Sequence, residues 1–456
     1  MSEEEKEQLE DAEETPYPNE PYAWYVVGVL MIVYVFSFVD RQILALLVGP
    51  IKADLDITDT QMSYLMGITF AIFYTVFGIP LGRLADSKSR RGIIAVGLIV
   101  WSFFSMACGK ATVYWQLAVA RMGVGVGEAT LSPSAYSLIA DYFRPKRMAL
   151  AISIYGAGIY IGSGLAYLLG GVIAGYAANH DTIELMFVGN VRPWQFVFFC
   201  IGFPGLVFSL ALFTVKEPVR RGLKKAQSAQ KAVSIPMSEV LSYMVANWRT
   251  FLFHNVGFAL CSFISYGSSS WLPEMFQRIH GYTAKEIGIQ YGAMVMIFGT
   301  AGIISGGFLA GYLSKKGFKD AKMRVGMYAA LAHIPLGLAF PLVPDPQVAL
   351  VILCFAVFTA SMPFGVAPAA IQEMMPNRMR GQAAAIYLFV VNIIGLGAGP
   401  TAVAWCTDLL FKDELKIHYS LALVSTLFGV IAAFLLWRGM AQFRRSLDHL
   451  DNWKES

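Results

Sequence analysis

The chain has 456 residues, with 35 Lys and Arg against 31 Asp and Glu and a formal net charge of +4. Charged residues are 14 % and hydrophobic residues 56 %, where an ordinary soluble protein carries about 25 % charge. So little charge covers a surface this large only if most of it faces lipid, which excludes a cytosolic enzyme, a disordered chain and a disulfide scaffold.

Residues 1–21 come first. The first twenty hold nine acids against Lys6 alone, the reverse of the basic start of a signal peptide. This stretch reads as a disordered acidic tail.

Twelve apolar runs follow, most of them at or above the roughly 20 residues that cross a hydrocarbon core. Run one, 23–49, carries Asp40 and Arg41. Run two, 61–83, leads into Gly82-Arg83-Leu84-Ala85-Asp86-Ser87-Lys88-Ser89-Arg90-Arg91, an acid followed by clustered bases at a helix end. Such a loop is suited to a charge network that holds in one conformation and releases in another. Run three is 92–110. Run four, 113–142, carries Arg121 and Glu128, seven residues apart and so on one helix face. Its Gly123-x-Gly125-x-Gly127 is no dinucleotide fingerprint, because no strand precedes it. Run five, 147–176, is rich in glycine, including Gly158, Gly162 and Gly164. Run six is 193–215.

A soluble stretch, 216–248, then separates two groups of six runs. It opens with Lys216, Arg220, Arg221, Lys224 and Lys225. Met237, Leu241, Met244 and Trp248 recur every three or four residues, which predicts an amphipathic helix lying on the membrane surface. Run seven, 249–277, contains Phe263, Tyr266 and Ser268. The remaining runs are 285–313, 322–343, 347–375, 380–411 and 417–439. Run eleven contains Gly399 and Pro400, so it predicts a bendable, closely packed helix. Residues 441–456 read as a C-terminal tail. The organisation expected is therefore a bundle over 22–215, the linker, and a second bundle over 249–440.

Continuous apolar runs exclude the alternation of an outer-membrane barrel. With both termini inside, 26 of the 35 Lys and Arg fall on the cytoplasmic side and seven opposite. That bias predicts cytoplasmic termini. The halves repeat: Pro145-x-Arg147-Met148 recurs as Pro376-x-Arg378-Met379, and Gly82-x-Leu84-Ala85 as Gly311-x-Leu313-Ser314, at nearly equal offsets. The five cysteines lie in or beside apolar runs and form no C-x-x-C pair, so they read as small hydrophobes. His254 and His333 read as packing or hydrogen-bonding groups. No metal cluster, phosphate loop, nucleophile elbow or basic nucleic-acid face is present, so no cofactor and no nucleic-acid partner is expected.

An ionisable group at the bilayer centre costs about 2.5–3.5 kcal/mol or more. Asp40, Arg41, Arg121 and Glu128 therefore form either a buried ion-pair network or a protonatable cluster lining a polar cavity. Tyr155, Phe263, Tyr266 and Ser268 are candidates for that cavity's wall.

The 82–91 segment resembles the cytoplasmic signature of the major facilitator superfamily, G-x-L-A-D-[RK]-x-G-R-[RK], with Ser87 and Ser89 departing from it. Within that superfamily the first half resembles the spinster group of lipid transporters. The matching strings are Phe38-Val39-Asp40-Arg41, Arg121-Met122-Gly123-Val124-Gly125-Val126-Gly127-Glu128-Ala129, Ile139-Ala140-Asp141 and Ile161-Gly162-Ser163-Gly164-Leu165. The resemblance implies an all-α fold of twelve transmembrane helices in two pseudo-symmetric six-helix bundles. It places Asp40, Arg41, Arg121 and Glu128 in a central cavity, and Gly82, Asp86, Arg90, Arg91, Asp141 and Arg147 in a cytoplasmic gate network. Gly158, Gly162, Gly164, Gly399 and Pro400 are then flexing points. The implied activity is alternating-access transport, coupled to protons, of a lipid-like amphipathic substrate of the sphingolipid or lysophospholipid class. A small organic anion is the alternative substrate. A monomer in contact with membrane lipid, in a bacterial inner membrane, is expected.

Overall fold

The computed structural model describes residues 17–186, 188–220, 237–376 and 379–451. Twelve helical spans run back and forth, six in each half. In the first half they are Glu20–Gln42, Asp59–Met66 continued by Ile68–Ser87, Arg90–Cys108, Tyr114–Glu128 continued by Leu131–Tyr142, Pro145–Ala177, and Pro193–Phe208. The second half holds Trp248–His280, Ala284–Met294 running on to Thr300–Lys315, Ala321–Leu342, Pro346–Glu373, Arg380–Val391 running on through Gly399–Trp405, and Ile417–Asp451. An even number of crossings brings the start of span one and the end of span twelve to one membrane face, here called the termini face.

Ten of the helical segments are long and apolar enough to cross a membrane by length and composition. The other two explain themselves. Span four is interrupted at Ala129-Thr130, and span seven is diluted by Asn255, Ser262, Ser265 and the serines at 268–270.

Three boundaries differ from the apolar runs. Span one stops at Gln42, passes through a tight turn at Ile43–Leu46, and a separate short helix, Val48–Leu55, follows. Hydropathy could not separate these pieces, because all of Ile43–Leu46 is buried and apolar. Span two breaks at Gly67, where a Cβ would stand 2.6 Å from the Gly397 carbonyl oxygen of span eleven. Span twelve does not end in a tail at 441. It continues to Asp451, anchored by buried Phe443, by Ser446 against Thr250 at 2.7 Å, and by Arg444 on Asp320.

The linker is described only at its end. Lys224 and Lys225 lie outside the described residues. Met237–Ala246 is helical, with Val240, Tyr243 and Met244 turned inward. Met237, Leu241, Val245 and Trp248 are exposed, so Val245 rather than Met244 completes the outward apolar stripe. A hairpin of β1 (Ile183–Leu185) and β2 (Gly189–Val191) between spans five and six gave no sequence signal.

The halves touch along two seams. Spans five and eight pack at Gly171 and Gly288, where a Cβ on Gly171 would meet the Gly288 Cα at 3.0 Å. Spans two and eleven meet at Gly67. The hydrogen bonds and ion pairs that join the halves cluster toward the face opposite the termini. They include Thr60 to Asp408, Asp59 to Arg278, Lys52 to Glu414 and the Gly49 N–H to Glu274.

Candidate functional site

Span one and the middle of span four carry the four intramembrane charges, and the structure sorts them into separate contacts. Arg41 Nε donates to Glu128 Oε2 at 2.6 Å, and Ser37 Oγ donates to the same oxygen at 2.6 Å. Ser37 and Arg41 are one turn apart, so span one presents both to span four. The Arg41 guanidinium stands over the rings of Phe38, Phe70 and Tyr74, at 5.0, 4.8 and 4.6 Å from their centroids. These rings stabilise the cation without neutralising it. Asp40, one residue earlier, points elsewhere and accepts from Ser105 of span three.

Arg121 joins no carboxylate among the described residues. It donates to the main-chain oxygens of Asp40 at 3.1 Å and Leu65 at 3.4 Å. Arg121 Nη2 and Glu128 Oε1 are buried without a hydrogen-bond partner among the described residues. The nominally neutral set is therefore one ion pair, one hydroxyl-capped acid and one carbonyl-held base.

A cavity of about 80 Å³ adjoins this cluster, bounded by spans one, five, seven, eight, nine and ten. Phe38, whose ring lies beneath Arg41, belongs to its wall. Hydrogen-bonding side chains make up about half of the lining, among them Gln42, Tyr160, Ser265, Ser361 and His333. Tyr167 OH lies 3.0 Å from Gln42 Oε1 and 2.9 Å from the Ser269 carbonyl, tying spans one, five and seven together.

Tyr266 and Ser268 line this cavity; Tyr155 and Phe263 do not. Tyr155 stacks on Tyr34 at 4.6 Å, and Phe263 packs against Phe428 at 4.5 Å. Sequence reasoning missed the contribution of span nine, because an isolated His in an apolar helix looks like a packing residue.

The glycines expected to flex sit at close helix contacts. A Cβ on Gly158 would touch Met31 and Tyr34 at 3.4 Å, and one on Gly162 would come within 3.0 Å of Val35. A Cβ on Gly164 would stand 2.6 Å from the Gly292 oxygen, and one on Gly399 2.5 Å from the Phe263 oxygen. Pro400 accepts from Trp271 Nε1 at 2.8 Å through its carbonyl. It has no N–H, and a wide π turn at Asn392–Ala398 absorbs the break just before it.

At the termini face, Arg90 is fully buried. It pairs with Asp141 and donates from Nε to Glu217 at 2.7 Å, tying span three to span four and to the start of the linker. Arg91 donates to the Val215 carbonyl at 2.8 Å. Gly82 lies against Pro133. Arg147 does not join this network; it pairs with Glu20 at the surface. The Asp86 side chain lies outside the described residues.

Glu217 is the member that sequence reasoning missed, hidden among the linker's bases. Partial burial pushes its carboxyl up, but donors from Arg90, Ser89 and the Arg91 backbone outweigh burial and hold it below the usual range. A lowered folded value stabilises above the ordinary glutamate pKa, and that contribution is lost as pH falls through the folded value. Thermal unfolding in detergent should show wild type above Glu217→Gln at pH 7, with the gap closing below about pH 4.3. A gap that ignores pH would contradict this.

The face opposite the termini holds a second charge network, this one between the halves. Asp59, fully buried, accepts two hydrogen bonds at 2.7 Å from the forked guanidinium of Arg278, and one at 2.5 Å from Lys52. Arg278 Nε also binds Glu274 at 2.7 Å, and Glu274 accepts from the Gly49 N–H at 3.2 Å. Lys52 reaches Glu414 at 2.7 Å.

Comparison with known proteins bears on this architecture. The family model described as Major Facilitator Superfamily matches residues 30–400. An MFS-type efflux pump of Mycolicibacterium smegmatis is 27 % identical over 431 residues, 93 % of this chain and 94 % of the relative. A hexuronate transporter of Bacillus subtilis is 24 % identical over 412 residues, 88 % and 93 % of the two chains. Among solved structures, a bacterial homolog of the human lysosomal transporter spinster, inward-facing and unoccupied, aligns with a TM-score of 0.75 at 26 % identity. That alignment covers 96 % of this chain and 100 % of the other.

Proposed function

This chain belongs to the Major Facilitator Superfamily and is a multi-pass secondary transporter, and from that premise we propose that it couples proton movement to transport of an anionic substrate. The observation that carries this reading is the buried Arg41–Glu128 pair beside the cavity. A proton on Glu128 removes the charge that Arg41 faces. The guanidinium, still held over Phe38, Phe70 and Tyr74, then takes an anionic group at the cavity wall. Proton and anion thereby favour one another, and the coupling is reciprocal. Asp40 is a second proton site, and Arg121 supports the field around both.

In this reading the membrane is a bacterial inner membrane and the termini lie at its cytoplasmic face, an orientation that the distribution of bases favours. The protein works as a monomer by alternating access. The Lys52–Asp59–Glu274–Arg278 network closes the far face, and the conformation is inward-facing, like that of the spinster homolog. The bundle at 22–215 and that at 249–440 move about the linker. The Arg90–Asp141–Glu217 network, with Arg91 and Gly82 beside it, stiffens the first bundle's cytoplasmic end.

The substrate is a lipid-like amphiphile of the sphingolipid or lysophospholipid class, by likeness to spinster. A small organic anion is the second reading, favoured by the hydroxyl-bearing cavity wall and by the hexuronate-transporting relatives. Uptake of lysophosphatidate and of glucuronate into proteoliposomes, with and without an imposed pH gradient, separates the two. Gradient-driven uptake of one probe is expected. Uptake of neither would overturn the reading.

A further inference from the structure

The two histidines of the second half are both buried, and they differ. His254 is satisfied at both nitrogens, with Nδ1 2.9 Å from Asn255 Oδ1 and Nε2 3.0 Å from the Ala367 oxygen. It is a structural group. His333 lines the cavity and is engaged at one nitrogen alone. Its Nδ1 lies 3.2 Å from the Ala356 carbonyl and 3.3 Å from Thr359 Oγ1. Its Nε2 is buried with no hydrogen-bond partner among the described residues.

That arrangement sets the tautomer. A carbonyl oxygen can only accept, so in the neutral ring Nδ1 carries the proton and Nε2 presents a lone pair. A buried acceptor left without a donor is costly, and such an atom in a native protein calls for an explanation. Span nine passes close to span twelve beside it, and a Cβ on Gly337 would stand 2.9 Å from Ser425 Cβ. Gly337, one turn further along span nine, has no side chain, and a Cβ there would stand 3.1 Å from His333 Nε2. The charged end of the site lies on spans one and four, whereas His333 stands in the second half's wall. Among the described residues the lining holds no charged side chain, and Arg41 adjoins the cavity through Phe38, over whose ring it lies.

We propose that His333 Nε2 is a specificity-determining acceptor for an uncharged hydrogen-bond donor of the substrate, a hydroxyl or amide N–H, bound while the anionic group is held by Arg41. The inference rests on the transport reading above and sharpens it. The substrate carries an anionic group and, apart from it, a neutral donor, which a fatty-acid anion or a simple dicarboxylate lacks. Both candidate classes include such molecules, as sugar acids or as lysolipids with a free glycerol hydroxyl. A site built around a donor discriminates strongly against an analogue that cannot donate, because its own acceptor then stays unpaired.

The test is a ratio, measured in proteoliposomes with the full chain. Whichever of glucuronate or lysophosphatidate wild type takes up is compared with its single-position deoxyfluoro analogues, which accept but cannot donate. Wild type should prefer the hydroxyl probe over one of these analogues by about tenfold. His333→Leu should reduce that preference to within about twofold, with uptake of the analogue retained. Gly337→Ala, which crowds Nε2 without removing it and presses on Ser425 of span twelve, should lower the same preference. His333→Gln, which can still offer an acceptor, should restore part of it. An unchanged preference in His333→Leu or in Gly337→Ala with uptake intact overturns the subsite while leaving the transport reading standing. No uptake of either probe by wild type overturns both.

Discussion

Arg278→Ala should release the face opposite the termini. The variant deprives fully buried Asp59 of its bidentate partner and Glu274 of its hydrogen-bonded cation. Breaking a buried, hydrogen-bonded pair costs about 3–5 kcal/mol, or roughly 10²–10⁴-fold in an equilibrium constant. The Asp59 part of that cost falls on the closed conformation, because Asp59–Arg278 joins the two halves, whereas Glu274–Arg278 lies within span seven. Glu414→Ala is the contrast. Glu414 is more than half exposed, and a surface pair contributes about 0–1 kcal/mol, so this variant should move little. Spin labels at Asn179 and Leu415, on a background lacking the native cysteines, report the separation of the halves at that face. The distance distribution should shift outward in Arg278→Ala and stay as wild type in Glu414→Ala. An unshifted distribution in the first would mean that the apolar seams alone hold the face closed.

The second large effect is expected for Glu128→Gln. Glutamine keeps an oxygen for Ser37 and removes the charge that faces Arg41, so it imitates the protonated acid. The variant should bind the anionic probe at least as tightly as wild type. Its affinity should lose the wild-type dependence on pH, because the titrating group is gone. Uptake driven by a pH gradient should fall tenfold or more, while exchange of labelled for unlabelled probe continues. Reduced exchange together with weaker binding would instead mark Glu128 as a structural partner of Arg41. Asp40→Asn removes no ion pair, since Asp40 is capped by Ser105. It should therefore reduce gradient-driven uptake without raising affinity.

The sequence reveals the central charges because an ionisable residue inside an apolar run is conspicuous. Asp40, Arg41, Arg121 and Glu128 stand out on cost alone. Their pairing is not legible there. Asp40 and Arg41 are adjacent, and a helix turns about 100° between neighbours, so only the rotation of span one decides that Arg41 meets Glu128. The far-face network is hidden for another reason. Asp59 and Arg278 are 219 residues apart and sit at helix ends, where a charge is ordinary. The same holds for Glu217, one acid in a basic stretch. The twelve spans follow from hydropathy, but the breaks at Gly67 and Ala129-Thr130 come from helix packing that hydropathy does not record. Tyr155 and Phe263 were plausible cavity residues by position on their helices, and their neighbours Tyr34 and Phe428 cover them. His333 looked like a packing residue, and only the carbonyl of Ala356 on the next span shows which of its nitrogens is free.

The most direct test of proton coupling needs no imposed gradient. Proteoliposomes carrying a pH-sensitive dye in the lumen receive glucuronate or lysophosphatidate, and lumenal pH is followed as the probe enters. A pH change that tracks probe entry in wild type and disappears in Glu128→Gln is the predicted result. Probe accumulation with no pH change in wild type would contradict it.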